Sequence, residues 1–310
     1  MKVLSIVTNQ YSPFYQNQIK ALEEEGCDIT HLSPGDQSES YQEQQSISRT
    51  HFDYFKLYPD ILKEPLGEYD IIHANNGKVA PFALGQLSCP VVLTFWGTDL
   101  MERYQKMCRI CSRFADEVIV PSPAMSPYLP VDHSVIPFGV DPSVFRPIEK
   151  EEARSQLGWD QEKTIVLFPY PKSRSIKRFD LAKRIVRNLD ADICLQSVSG
   201  IPHESMPVYM NASDSLLVTS RRESGPMVIK EAALCNVPVV STDVGFAEQV
   251  LSRIENSYVS KTEEELEHHL QCVLDDSRRS DGREKLIDTI GLSRMANRIL
   301  DVYNRSIDNQ

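Results

Sequence analysis

Residues 220–233 read Ser-Arg-Arg-Glu-Ser-Gly-Pro-Met-Val-Ile-Lys-Glu-Ala-Ala. A short apolar run, Ser215–Thr219, precedes them, and another, Val237–Ser241, follows. Between the two, the chain turns on Gly225 and enters a helix expected over Met227–Cys235. Pro226 stands in the first turn, where its missing N–H costs nothing. Strand, turn, helix and strand in such quick succession make a βαβ unit, which requires parallel strands.

The same alternation extends in both directions. Upstream, the pattern predicts strand Thr164–Phe168, helix Arg178–Asn188, strand Ile193–Gln196 and helix Val208–Asn211. Nearer the N-terminus it predicts strand Lys2–Val7, then a helix over Tyr15–Glu25 that stops at Gly26. Strand Ile29–Leu32, helix Phe52–Lys63, strand Asp70–His73, helix Gly77–Gln86 and strand Val91–Phe95 come next. The turn Trp96–Asp99, a cysteine-containing helix, and strands Glu117–Val120 and Ser134–Pro137 complete the series. Prolines 142 and 147 interrupt any regular element and mark a boundary. The expected organisation is therefore a first domain over 1–145, a second over 146–290, and a final helix in 291–310 packing back on the first. Strands alternating with helices predict an α/β chain of two doubly wound, Rossmann-like domains. In such sheets ligands bind beyond the carboxyl ends of the strands, here expected to face a cleft between the domains.

Composition agrees with two buried cores: 310 residues, 41% apolar and 25% charged. The longest apolar runs, Val91–Phe95 and Val237–Val240, are too short to span a bilayer. The opening MKVLSIVTNQ has no signal-peptide pattern, so a cytoplasmic location is expected. A net charge of −11 disfavours nucleic acid as a partner. The first 145 residues carry 10 basic and 18 acidic side chains, the remainder 23 and 26. A phosphate would find its cations in the second half. Seven cysteines is an odd number and suggests reduced thiols. Cys108 and Cys111 form a lone C-x-x-C, expected to pack in the core beside Met101, Tyr104 and Phe114. Asp190-Ala-Asp192 is formally D-x-D but reads as a turn, and Ser33–Ile47, rich in Ser, Gln and Glu, reads as a mobile surface loop.

Chemistry gathers at the strand ends of the second half. The free amides of Met227 and Val228 at the helix start suit a phosphate. Glu223 lies before that helix and Glu231 within it, so their carboxylates reach different parts of a ligand and can accept from sugar hydroxyls at two points. Residues 171–182 begin Pro-Lys-Ser-Arg-Ser-Ile-Lys-Arg and place four cations, Lys172, Arg174, Lys177 and Arg178, just after the first strand of the second domain. Such a loop suits a diphosphate. In the first half, His73 and Asn75 sit at a strand end expected to face the cleft. The basic residues Arg103, Lys106, Arg109 and Arg113 form a solvated helix face that could also meet anionic lipid.

These segments resemble the retaining glycosyltransferases of family 4 (glycosyl transferases group 1), which have the GT-B fold. The resemblance is carried by Glu223…Glu231 as E-x7-E, by EAALCNVPVVSTDVGFAEQV and by VIPFGVDPSVFRP. In the first half it is carried by DIIHANNGKVAPFALGQ and PVVLTFWGTDL. It runs in order over most of Asp70–Val259 and is weak over the first sixty-odd residues and the C-terminal tail. It implies that Glu231 holds the nucleotide ribose and Glu223 the donor-sugar hydroxyls. Gly225 and the amides of Met227 and Val228 would face the diphosphate and sugar. Lys177 matches the phosphate lysine, with Lys172 or Arg174 as its basic partner. Gly97 and Asp99 match the first-domain H-G-T/S-D turn.

There are departures from that pattern. Trp96 stands where the family often has a histidine contacting the donor sugar, and Asn9–Phe14 replaces a glycine-rich loop. The first domain is also lean. The implied activity is transfer of a hexosyl unit from a nucleoside diphosphate-sugar to a glycan or lipid-linked acceptor, with retention of configuration. No cofactor or bound metal is expected, and peripheral contact at the inner face of the cell membrane is. Alternatives are a silent sugar-nucleotide-binding protein and a nucleotide-sugar epimerase of the same fold. A dinucleotide-dependent oxidoreductase would need G-x-G-x-x-G, which the chain lacks.

Overall fold

The computed structural model describes residues 1–35, 50–189 and 192–309. Most of the Ser33–Ile47 stretch, and Asp190 of the D-x-D, therefore lie outside the described residues. The chain divides into two compact units, Met1–Gly139 with Leu292–Gln310, and Val140–Gly291.

The first unit is built on a parallel sheet of β1 (Lys2–Val7), β2 (Asp28–Leu32), β3 (Ile71–Asn75), β4 (Val91–Thr94), β5 (Glu117–Val120) and β6 (Ser134–Val135), in the order β2-β1-β3-β4-β5-β6. Strand periodicity divides the side chains between two cores. Leu4, Ile72, Leu93 and Val118 enter one, and Val3, Ile71, Val92 and Ile119 the other. The second core is closed by the helix Leu292–Asp308, which presents Met295, Ile299 and Val302. Burying each of these apolar side chains contributes about 1.5–3 kcal/mol. Tyr303, on the same helix, is fully buried and meets His73 Nδ1 through its hydroxyl at 2.6 Å.

The second unit has β7 (Thr164–Phe168), β8 (Ile193–Ser197), β9 (Ser215–Val218), β10 (Val239–Thr242) and β11 (Tyr258–Ser260), all parallel, in the order β11-β10-β9-β7-β8. The order reverses between β7 and β9, the two strands whose carboxyl ends carry the loops singled out from sequence. Arg154, 1% exposed, secures the base of this unit by bonding Ala212 O at 2.9 Å and Asp214 at 2.8 Å.

Local differences from the sequence reading have physical causes. The helix expected over Gly77–Gln86 is regular only over Ala80–Ala83, because Gly77 and Asn76 are tied into a turn and Gln86 bonds the Cys89 loop. The cysteine-containing helix is two pieces, Thr98–Met101 and Gln105–Cys111. Cys108 and Cys111 are buried free thiols whose pKa burial pushes up, but Phe114, expected beside them, is exposed. Strand β11 and the helices Ala247–Leu251, Glu263–Asp276 and Gly282–Ile290 lie in a region where no regular element was expected. No helix among the described residues is long and apolar enough to cross a membrane.

Candidate active site

The loop after β7 and the loop after β9 meet at the switch point of the second sheet. Arg221 N donates to Ile176 O at 2.9 Å, and Thr219 Oγ1 donates to Lys177 O at 2.8 Å. Arg178, at the left-handed φ of 53°, reaches back from its Nε to Thr219 O at 2.7 Å. These ties hold Lys177 against Glu223. The Lys177 ammonium contacts Glu223 Oε1, which also accepts from Ser220 Oγ at 2.7 Å and Tyr170 OH at 3.3 Å. Lys177 Nζ lies 3.9 Å from the centre of the Tyr170 ring, a cation–π contact. Burial lowers the lysine pKa, and the charge of Glu223 opposes that shift. Burial, then the same carboxylate, raises the Tyr170 phenol well above its ordinary range. An ion pair so deep in a loop cluster is weak evidence for stability and points to a function for its charges.

Gly225 follows at the approach to the helix Met227–Leu234. A Cβ there would lie 2.7 Å from the Phe246 ring, so only glycine lets the loop pass. Gly245, at φ +60°, brings the next loop against Pro226 and the carbonyl of Glu223. Phe246 thus backs the Glu223–Pro226 loop. Its ring also covers Lys230, whose Nζ lies 4.4 Å from the ring centre. Burial pulls that amine down to about 7 against the charge of Glu231. Met227 and Val228 are partly buried in the first helical turn, where amides have no intrahelical acceptor.

Glu231 occupies a different place, as its position inside the helix requires. It is 3% exposed and bonds His203 Nε2 at 2.9 Å, with the imidazole tilted on Phe145 at 5.1 Å. Burial alone would lower the His203 pKa, but the hydrogen bond and charge of Glu231 outweigh it and the net shift is upward. The stabilisation from this pair is therefore complete below the ordinary imidazole value and is lost as pH rises through the raised one. We expect the melting temperature of the wild-type chain to exceed that of His203→Gln by about 2–4 °C at pH 6. The gap should close on going to pH 8.5; a gap independent of pH would remove the ion pair from this account.

Lys172 and Arg174 lie in the same loop as Lys177 but are exposed, with Lys172 Nζ 5.1 Å from the centre of the Phe179 ring. Arg174 acts on Lys177 at a distance, its charge further lowering the lysine pKa. Sequence reasoning missed Tyr170, Ser220, His203, Lys230 and Phe246. Ser220, Lys230 and Phe246 were inside quoted motifs; the signal for them was a small polar, basic or aromatic residue near the key acid or glycine.

In the first unit the structure corrects two expectations. His73 does not face outward: it is 1% exposed, with Nδ1 against Tyr303 OH and Nε2 against Thr94 Oγ1 at 2.7 Å. Burial drives its pKa down to about 3, so it is neutral and clamps the C-terminal helix to the sheet. Asn75 is fully buried, accepting from Gln18 Nε2 at 3.0 Å and donating to Ser5 Oγ at 3.1 Å. Both lack the access a substrate contact needs, because β3 is a central strand covered on both faces.

Asp99 is also buried, and its carboxylate collects backbone amides. Oδ1 accepts from Gly97 N at 2.8 Å, Leu100 N at 3.0 Å and Trp96 N at 3.1 Å, while Oδ2 accepts from Gly77 N at 2.8 Å. Gly97 adopts φ +131°, which favours glycine. Trp96 is half-buried, edge-on to Phe138 at 6.4 Å and tilted against Tyr15 at 6.5 Å. The carboxylate thus ties together the turns after β3 and β4. Among the described residues, no group of three or more His, Cys, Asp or Glu side chains gathers as a metal site.

Two family models match the chain in tandem. The model for Glycosyltransferase Family 4 covers residues 14–144, and that for Glycosyl transferases group 1 covers 175–289. The chain belongs to this family of glycosyltransferases. TuaC of Bacillus subtilis (strain 168), named as a glycosyltransferase of teichuronic acid biosynthesis, is 25% identical over 211 residues. That match covers 57% of this chain and 54% of TuaC, so the chain spans about half the length of this curated relative. Among solved structures, HepE of Anabaena in complex with UDP-glucose aligns with a TM-score of 0.72 at 17% identity, over 98% of this chain and 99% of that one. The catalytic domain of starch synthase IV from Arabidopsis thaliana, bound to ADP and acarbose, aligns at 0.76 and 12% identity over 99% of both. Sucrose-phosphate synthase from Thermosynechococcus elongatus gives 0.74 and 16% over the whole of both chains. These likenesses establish the GT-B fold.

Proposed function

We propose that this glycosyltransferase moves a hexosyl unit from a nucleoside diphosphate-sugar to a hydroxyl of a glycan or lipid-linked glycan, with retention of configuration. The observation that carries this reading is the convergence of Lys177 and Glu223 from two neighbouring strand ends at the switch point, beside the helix start at Met227. A diphosphate held there gains negative charge as its bond to the sugar breaks. Lys177 and the first-turn amides are placed to stabilise that charge, with Lys172 and Arg174 supplying field from the loop surface. Glu223 orients the hydroxyls of the sugar as it becomes cation-like, and Glu231 holds the ribose. The leaving phosphate itself takes the acceptor proton, so the chemistry needs neither a protein base on the acceptor side nor a divalent metal. We place the reaction in the cytoplasm, at the inner membrane face where the acceptor is lipid-linked.

The deciding measurement is the anomeric configuration of the product by NMR, with rates compared in EDTA. Retention and an undiminished rate are expected. An inverted product, or activity abolished by chelator and restored by manganese, would overturn the proposal.

A further inference from the structure

The helix Met227–Leu234 carries two charged side chains on an otherwise apolar element, Lys230 and Glu231. Glu231 bonds His203 and has its place at the proposed ribose. Lys230, 1% exposed, has no place in that reaction. An apolar side chain would pack this position at less cost, because burial strips water from an ammonium. The cost shows in the amine, whose pKa burial pulls down to about 7. A charge kept under those conditions beside a reactive loop points to function.

What Lys230 touches says which function. Its Nζ lies over the face of the Phe246 ring, 4.4 Å from the centre. The edge of the same ring meets the turn: a Cβ on Gly225 would fall 2.7 Å from the ring at Cε1 and 3.3 Å at Cδ1. Phe246 is itself buried and anchored, standing just before the helix Ala247–Leu251. The loop Ser220–Pro226 is held by direct bonds over its first part. Thr242 Oγ1 donates to Ser220 O at 2.7 Å, and the Glu223 carboxylate takes Lys177 and Ser220. Its last part, Gly225-Pro226, rests against the Phe246 ring and Gly245. Contact of that kind has no preferred direction. A cation over the ring face supplies one.

We infer that Lys230 and Phe246 are positioning residues for the donor. The ammonium pins the ring, and the ring sets where Gly225 and Pro226 deliver the helix start with its Met227 and Val228 amides. The inference rests on the proposed diphosphate site and adds two residues that act on it without touching substrate. The diphosphate gains charge as its bond to the sugar breaks. Misplaced amides therefore weaken the transition state more than the ground state, and the effect belongs in kcat.

The experiment is a double-mutant cycle of Lys230→Met and Phe246→Leu on the full chain. Kinetics are read at about pH 6, where the amine keeps its proton, together with hydrogen–deuterium exchange of the peptide 221–229. Lys230→Met should lower kcat about tenfold while changing KM less than about threefold. It should melt no lower than wild type, because an apolar side chain replaces a buried ammonium. Exchange should rise about tenfold in 221–229 and stay unchanged in the rest of the second unit. Phe246→Leu should lower kcat by a similar factor, and the double variant should be no slower than either single one, since both remove the same contact. An unchanged kcat in folded Lys230→Met overturns the inference, as does a loss of about a hundredfold in the double variant, the product of independent effects. So does a loss of kcat that follows a lower melting temperature with exchange raised throughout the unit, since Lys230 would then serve packing alone. If the wild-type chain transfers no sugar from any nucleoside diphosphate-sugar, the proposed function fails. Local exchange in Lys230→Met then decides the inference by itself: raised, the lysine holds the loop; unchanged, it does not.

Discussion

Replacing Glu223 with glutamine should lower kcat by roughly 10²–10³-fold while changing donor affinity less than tenfold. The substitution keeps the shape of the side chain and its bond from Ser220, so the loop stays ordered. What it removes is the negative charge that, in the proposed reaction, faces a sugar becoming cation-like only as the bond breaks. An interaction stronger in the transition state than in the ground state appears in kcat. Glu231→Gln should behave differently, because the ribose it is proposed to hold is the same in both states; its effect belongs in donor affinity and KM. Lys177→Met should lower both, since a charge-assisted contact of about 1.5–3 kcal/mol is lost and a mostly buried carboxylate is left without its cation. Steady-state kinetics with separate titration of the nucleoside diphosphate product would separate these outcomes. If Glu223→Gln raised KM alone, the division of roles between the two glutamates would be wrong.

The second large effect concerns stability. Asp99→Ala should cost about 3–5 kcal/mol, since the amides of Trp96, Gly97 and Gly77 lose this acceptor while Leu100 N keeps Gly97 O at 3.1 Å, and each buried orphan costs roughly 1–3 kcal/mol. In a chain of this size that corresponds to a fall of about 8–16 °C in the melting temperature. The loss belongs to the first unit, so calorimetry should show its transition moving away from that of the second. Asp99→Asn retains an acceptor oxygen and should fall in between. An alanine variant melting within a degree of wild type would show that the amides find other partners and that the carboxylate is free for another role.

The sequence carried the parts of this architecture that rest on local pattern. Apolar runs of four to six residues separated by helices produced the parallel sheets, and Gly225-Pro226 located the helix start by turn chemistry. The pairing of Glu223 with Lys177 was only half legible. Each was named, but their contact joins two strand ends that become neighbours only through the order β9-β7. His73 was misjudged for the same reason. Its position at a strand end suggested access, whereas its partner, Tyr303, lies 230 positions later and fills the space above it. Asp99 matched a motif, yet what it does here depends on amides from Gly77, whose arrival no periodicity announces. The cysteine pair was legible as core packing because burial of a small thiol needs nothing beyond the helix face.

The helix Leu292–Asp308 belongs to the unit begun at Met1, although the whole second unit is encoded between them. During synthesis, strands β1 to β6 emerge first, with Val3, Ile71, Val92 and Ile119 covered on one face only in part, by Ala21, Leu22 and Cys27. Translation of the intervening unit takes roughly 8–30 s at about 5–20 residues per second. The second unit, continuous in sequence, can close as soon as it leaves the ribosome. The first must wait for Met295, Ile299 and Tyr303. The protein is thus completed in the reverse of its coding order, and its half-covered sheet is the nascent species most exposed to aggregation and most in need of a chaperone.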